Sequence, residues 1–255
     1  MSRLKNLTGG NINQVFRKDD DVYRTLRPTS QTIQALLRHL EQQGVPGVPR
    51  ARGISRGFEI VSFIVGKTAT YPWPKRVFRR STLAGLARLM RQLHDASASF
   101  QAPPGAVWGD RLPGPSEVVC HNDIGPYNII FGPTNELGLI DFDRAAHGPK
   151  SWDLAYAIYR FAPFCGLGNL PGFVQLPVLA ERARLFCSVY GWPDPASLIE
   201  MMELRLLHEI NWLRGGQQQD LAARQRLLAA RHDFAYAADL AFLRRHRSAL
   251  EDLTQ

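Results

Sequence analysis

The alternation of apolar and polar positions predicts a chain that begins with strands and ends with helices. Three short runs in the first part of the sequence have the alternating or apolar pattern that is typical of β-strands. They lie at residues 13–17, 22–27 and 58–65. The last run is the strongest, because it is almost continuously apolar and ends at Gly66.

Helical periodicity follows these strand patterns. Regularly spaced isoleucine and leucine predict a helix over residues 32–43, with Ser30 as its N-cap. A longer amphipathic helix is predicted over residues 81–97. Everything beyond Trp152 has helical patterns. The breaks in them lie near residues 163–177 and 191–195.

Between the two helical regions, a polar loop interrupts an apolar segment. The stretch VVCHNDIGPYNIIF, residues 118–131, predicts two strands around this loop, and a third strand pattern ends at Asp141. We predict a β-hairpin that carries the polar residues. Strand pairing is expected to bring Asp123, Asn128 and Asp141 to one edge of it.

The order of these elements predicts the fold class. Strands with one helix, a proline-rich link, another helix, a hairpin and then helices indicate an α+β architecture with two lobes. The predicted lobes are residues 1–66, rich in β-structure, and residues 67–255, mostly helical.

The polar residues of the hairpin suit phosphoryl transfer. Asn128 and Asp141 offer the hard oxygen ligands that Mg²⁺ prefers. Asp123 offers a further carboxylate, which can accept a proton from an attacking hydroxyl. A metal that neutralises phosphates and a base that positions the nucleophile are the components that this reaction needs.

Charge and composition narrow the class of protein. The net charge is +8, and residues 1–100 hold 17 basic against 6 acidic side chains, which suits either a polyanion such as nucleotide phosphates or an ordinary solvated surface. The start of the chain lacks a signal-peptide pattern, no apolar run is long enough to cross a membrane, and the three cysteines are sparse. These features predict a cytoplasmic protein without a membrane partner.

The motifs resemble a known family. His121-Asn122-Asp123 with Asn128, followed by Ile140-Asp141-Phe142-Asp143, is similar to the catalytic-loop and metal-loop signature of the aminoglycoside phosphotransferase and choline kinase group. Leu93-His94-Asp95 and Trp152-Asp153-Leu154-Ala155 add to this resemblance, which covers roughly residues 8–215. It implies a protein-kinase-like fold and an enzyme that uses ATP, or another nucleoside triphosphate, with Mg²⁺.

The resemblance also implies roles for individual residues. Asp123 is expected to be the catalytic base, and Asn128 and Asp141 are expected to hold Mg²⁺. Asp143 is expected either to assist the metal or the substrate or to cap a turn. His121 is expected to support the loop.

The N-terminal part matches the family less closely. Gly9 and Gly10 are expected to cover the nucleotide phosphates, and Phe63 and Val65 to contact the adenine. The strand lysine of kinases is replaced by Arg24, or else by Arg27. The helix that follows contains no glutamate except Glu41 near its C-terminal end, so the acid that pairs with the strand cation in kinases is missing.

The sequence therefore predicts a phosphotransferase that acts on a hydroxyl of a small molecule, either an aminoglycoside, an amino alcohol or a sugar. Nucleic acid is not expected as a partner, and the oligomeric state is not predicted. The alternative is a non-catalytic kinase-like protein that binds nucleotide. The sequence disfavours a metal-dependent hydrolase, because His121 and His147 lack the spacing of a helical pair of metal ligands.

Overall fold

The computed structural model describes residues 15–164, 175–215 and 221–254, together with the backbone of residues 5–6. Gly9 and Gly10 lie outside the described residues. By internal packing the chain divides into two units. One comprises Met1–Pro74 with Leu89–Lys150, and the other comprises Lys75–Arg88 with Ser151–Gln255.

A five-stranded antiparallel sheet forms in the first unit. Its strands are β1 (Lys5–Asn6), β2 (Val15–Lys18), β3 (Asp21–Thr25), β4 (Ala51–Ser55) and β5 (Phe58–Ser62). They are arranged in the order β1-β2-β3-β5-β4. The three predicted strands are thus present, although β5 ends three residues earlier than its apolar run.

Helix α1 (Ser30–Gln42) belongs to the same unit. Its leucines and Ile33 are fully buried, as their spacing predicted. The prediction that Ser30 caps the helix is wrong, because the N-cap position is Thr29 and Ser30 is the first helical residue. The Ser30 hydroxyl instead accepts a hydrogen bond from the Arg27 amide and donates one to Glu59, which fixes the chain between β3 and α1.

Two small sheets follow in the first unit. Strand β7 (Val118–Cys120) pairs with β10 (Ala146–Gly148), whereas β8 (Ile129–Phe131) lies between β6 (Lys67–Thr68) and β9 (Leu137–Leu139). The prediction that the runs around the polar loop form one hairpin is therefore wrong. A 3₁₀ turn at Pro126–Asn128 turns the chain away from β7, so the true hairpin is β8–β9.

The second unit is helical. Helix α2 (Arg80–Ser97) contributes its first residues to this unit. The remaining helices are α3 (Lys150–Phe161), α4 (Leu176–Tyr190), α5 (Ser197–Arg214), α6 (Leu221–Ala229) and α7 (His232–Thr254). The core includes Trp152, Phe161 and Phe186. Within the part of the chain that the structure describes, no helix is both long enough and apolar enough to span a bilayer.

Gly47 connects the loop after α1 to the β8–β9 hairpin. Its carbonyl accepts a 2.7 Å hydrogen bond from the Leu139 amide. Its φ angle is +69°, and a Cβ atom there would lie 2.5 Å from the carbonyl oxygen of Leu137. The position therefore requires glycine both for its backbone conformation and for space.

We expect Gly47→Ala to lower the free energy of unfolding by about 3 kcal/mol, because left-handed backbone and overpacking each cost about 1–2 kcal/mol. Gly44→Ala is the control. Gly44 has a φ of +72°, but a Cβ atom added there would meet nothing within 4 Å, so only the backbone cost of about 1 kcal/mol remains. Urea unfolding of both variants checks this, and equal losses would contradict the steric argument.

Candidate active site

The loop after β7 is held by a buried polar clamp. Asn122 is fully buried with a φ of +63°, a conformation that asparagine tolerates better than most residues. Its side-chain amide donates to Asp110 Oδ2 at 3.0 Å and to the carbonyl oxygen of Arg144 at 3.1 Å. Arg144 also forms a 3.1 Å ion pair with Asp110. Asp110 was missed by sequence reasoning, since it lies in a proline- and glycine-rich loop without a motif.

His121 joins this loop to the segment after β9. Its Nε2 lies 3.0 Å from the carbonyl oxygen of Ile140, and its Nδ1 accepts a hydrogen bond from the Asp123 amide at 3.3 Å. The neutral tautomer with hydrogen on Nε2 satisfies both contacts. The ring also packs edge-on against Phe142, with centroids 4.6 Å apart. This geometry fits a supporting role for His121.

Both carboxylate oxygens of Asp123 accept hydrogen bonds. The Tyr127 hydroxyl donates to Oδ1 at 2.6 Å, and the Asn128 amide donates to Oδ2 at 3.0 Å. Tyr127 lies on the 3₁₀ turn and its ring is 6.4 Å from that of Trp73. Sequence reasoning missed Tyr127, because only its place beside Asn128 pointed to it. The two donors fix the orientation of the Asp123 carboxylate.

The β8–β9 hairpin brings Asn128 and Asp141 together. Asn128 precedes β8 and Asp141 follows β9, and the Ile140 amide extends the pairing by donating to the Asn128 carbonyl oxygen at 3.0 Å. Asp141 has a φ of +71°, a conformation that is uncommon except in glycine, asparagine and aspartate. The predicted proximity thus holds, although β7 takes no part in the pairing.

Negative charge is concentrated around Asp141. Loss of hydration raises the pKa of its carboxyl to about 7, and the nearby Asp143 adds to this shift, while Arg24 opposes it. Arg24 Nη2 lies 3.4 Å from Asp141 Oδ1. Asp123 also raises this pKa and Arg27 also lowers it, so three carboxylates share the site with two arginines, which is an environment that suits a bound cation.

Asp143 is engaged by two arginines. Its Oδ1 accepts a hydrogen bond from Arg24, and its Oδ2 lies 3.5 Å from Arg27 Nη1. All three side chains are largely buried. Asp143 therefore anchors the arginines of β3 and of the chain that follows it.

The side-chain oxygens of Asn128 and Asp141 are the donors expected to bind Mg²⁺. Among the described residues, no group of three or more histidine, cysteine, aspartate or glutamate side chains is arranged as a metal site. Asn128 Oδ1 and Asp141 Oδ2, however, accept no hydrogen bond from any described residue. Two hard oxygens with phosphate and water oxygens make up a normal magnesium shell, so these residues fit the ion.

The two residues expected to contact adenine differ in their surroundings. Phe63 is partly buried, and the Arg17 guanidinium lies 3.6 Å from its ring centroid. Val65 is 66% exposed and lies outside β5. Their roles stay predictions.

Comparison with known proteins then places the chain. Residues 105–169, which contain both the 121–128 loop and the 140–144 segment, match the model described as "Phosphotransferase enzyme family". A curated relative, the trifolitoxin immunity protein of Rhizobium leguminosarum bv. trifolii, is 33% identical over 195 residues, which cover 72% of this chain and 73% of that protein. The chain belongs to the phosphotransferase enzyme family. The predicted enzyme class, a phosphotransferase, is thereby confirmed.

Solved structures of two kinases share the fold. Amicoumacin kinase, in complex with AMP-PNP, Ca²⁺ and Ami, has a TM-score of 0.66 with 14% identity and covers 98% of this chain and 88% of its own. Choline kinase from Cryptosporidium parvum Iowa II has a TM-score of 0.64 with 12% identity, and the match covers 98% of this chain and 90% of that one. The predicted α+β, protein-kinase-like fold of this phosphotransferase is confirmed.

The clamp generates a stability prediction. Asp110→Ala removes the ion-pair partner of Arg144 and one of the two acceptors of the buried Asn122 amide, so we expect the free energy of unfolding to fall by about 3 kcal/mol. Asp95→Ala is the matched control, because it removes an ion pair to Arg91 in which both side chains are about half exposed, and costs at most about 0.5 kcal/mol. Urea titration distinguishes the two, and similar small losses would show that the clamp does not stabilise the loop.

Proposed function

We propose that this phosphotransferase transfers the γ-phosphoryl group of ATP, with Mg²⁺, to a hydroxyl of a small molecule. The observation that carries the proposal is the Asp123–Asn128 pair, joined at 3.0 Å, with Asp141 brought beside Asn128 by the β8–β9 hairpin. A base and a pair of hard oxygen ligands then lie on one rigid support.

Asp123 is the proposed base. An ionised carboxylate can accept about four hydrogen bonds, so Asp123 can accept the proton of an acceptor hydroxyl in addition to the bonds from Tyr127 and Asn128. The two donors prevent the carboxylate from rotating, which orients the attacking oxygen. Orientation of the nucleophile is the main contribution of such a base, because the transition state for phosphoryl transfer is loose.

Asn128 Oδ1 and Asp141 are the proposed metal ligands. Bound Mg²⁺ supplies charge neutralisation at the phosphates. Asp143 keeps Arg24 and Arg27 near this position, and a guanidinium can hold phosphate oxygens with two parallel hydrogen bonds. Phe63 and Val65 stay proposed contacts of the nucleotide base.

Similar structures support the use of nucleotide with a divalent cation. The solved amicoumacin kinase complex contains AMP-PNP and Ca²⁺. A solved aminoglycoside phosphotransferase complex contains streptomycin and ATP, with a TM-score of 0.58 and 17% identity. Both structures share only the fold with this chain. The proposal that this chain uses ATP therefore depends mainly on its own residues.

The test is transfer from ATP to a panel of sugars, amino alcohols and aminoglycosides, followed by mass spectrometry. We expect Asp123→Asn to reduce the turnover number by about 10²–10⁴-fold, because it removes the base, and to leave binding of Mg–ATP within a fewfold of wild type. Asp95→Asn, an exposed change, is the control. If the wild-type chain neither binds Mg–ATP nor phosphorylates any member of the panel, the proposal fails.

A second candidate function is protection against a toxin. It is favoured by the 33% identity to the trifolitoxin immunity protein, which extends over most of both chains. We expect expression of this chain to raise the toxin concentration that a trifolitoxin-sensitive strain tolerates, and Asp123→Asn to abolish the increase. Full protection by the Asn variant would indicate binding without catalysis, and no protection by wild type would remove this candidate.

A further inference from the structure

One buried carboxylate has no role in the proposed reaction. Glu59, on an inner strand of the five-stranded sheet, is only 1% exposed. It lies on β5 directly opposite Arg24 of β3 in the antiparallel register. Side chains that lie directly opposite in such a pair are on the same face of the sheet, with Cβ atoms about 5 Å apart. The side chains of Glu59 and Arg24 therefore project next to each other from the same face of the sheet.

The Glu59 carboxylate is fixed by helix α1. The Ser30 hydroxyl donates to Oε2 at 3.1 Å, and the Gln34 amide donates to Oε1 at 3.2 Å. Gln34 is itself held by the sheet, because its amide donates to the Ile60 carbonyl at 3.0 Å and its oxygen accepts from the Gly53 amide at 2.8 Å. A buried acid with this number of contacts has little freedom to move.

Electrostatic attraction links Glu59 to Arg24. Burial alone would lower the pKa of Arg24, but attraction to Asp143, Asp141 and Glu59 outweighs it and raises the pKa. Burial raises the pKa of Glu59, and the charge of Arg24 opposes this shift. The direct ion pairs of Arg24 are with Asp141 and Asp143, so Glu59 acts on the guanidinium through its charge.

Glu59 differs from the other two acids in its location. Asp141 and Asp143 belong to the segment proposed to bind Mg²⁺, and a dication there competes with Arg24 for their charge. Glu59 instead belongs to β5 and is not part of that segment. The one acid in α1, Glu41, forms an exposed ion pair with Arg50 at 3.0 Å and is no substitute.

We infer that Glu59 is a positioning residue that holds the Arg24 guanidinium for the nucleotide phosphates, and that it replaces from the adjacent strand the acid that kinases place on the following helix. Ser30 and Gln34 connect this acid to α1. The inference rests on the proposed function, because it assigns Arg24 to phosphate binding.

The experiment compares Glu59→Gln with Glu41→Gln in the full chain, using Mg–ATP as the probe in calorimetry. We expect Glu59→Gln to raise the Kd for Mg–ATP about tenfold and Glu41→Gln to leave it within about twofold. Arg24→Met is expected to raise Kd by a similar factor. Adding Glu59→Gln to Arg24→Met should then raise it no further, because the glutamate acts through the arginine.

Melting temperatures of wild type, the Glu59→Gln and Arg24→Met single variants and the double variant, without nucleotide, separate this inference from the proposed function. We expect the drop in the double variant to be smaller than the sum of the two single drops. If wild type binds no Mg–ATP, the proposed function fails, and this coupling alone decides the Glu59–Arg24 relationship. Additive losses in Kd or in melting temperature would overturn the inference. If Glu59→Gln does not fold, Glu59→Met, which also removes the charge, replaces it in both comparisons with the same criteria.

Discussion

Every proposed catalytic group depends on hydrogen bonds that join the 121–128 loop to the 140–144 segment. The side chains of His121 and Asn122 form hydrogen bonds with the carbonyl oxygens of Ile140 and Arg144, respectively. The Ile140 amide donates a hydrogen bond to the Asn128 carbonyl oxygen. Because the partners in the second segment are all main-chain groups, the two segments stay aligned whatever charge their side chains carry. The proposed base and metal ligands can therefore gather negative charge in one place without separating.

That concentration of charge explains the position of the arginines. Asp123, Asp141 and Asp143 lie on the two joined segments, and the repulsion of Asp141 by the other two carboxylates is a cost that contributes to its raised pKa. Arg24 and Arg27 offset part of this cost through Asp143. Phosphates entering the site would meet guanidinium groups that are already oriented, and a dication would meet carboxylate and amide oxygens. In the proposed function, the charges that pair within the site are thus the ones that would contact its ligands.

The sequence predicted the fold class and the proximity of Asn128 to Asp141, because hydrophobic periodicity and fixed offsets are local signals. It did not predict the pairing of β7 with β10, in which Cys120 lies opposite Ala146. A strand of three residues carries too little pattern to specify a partner that far away in the chain. Asp110, Tyr127 and Glu59 were missed for a related reason. Each of them acts on a residue that only the fold brings next to it: Asp110 on Asn122, Tyr127 on Asp123 and Glu59 on Arg24.

The strand position of Glu59 has a mechanical consequence. An acid on a helix approaches or leaves a strand cation whenever the helix moves, which makes the ion pair a point of control. The relative position of Glu59 and Arg24 is instead set by the ladder between β3 and β5. A shift of α1 would break the hydrogen bonds from Ser30 and Gln34 but would leave this register intact. Separating these two backbone positions would require β3 and β5 to lose their pairing. The sheet therefore keeps the proposed phosphate-binding cation on the strand beside its acid even when α1 moves.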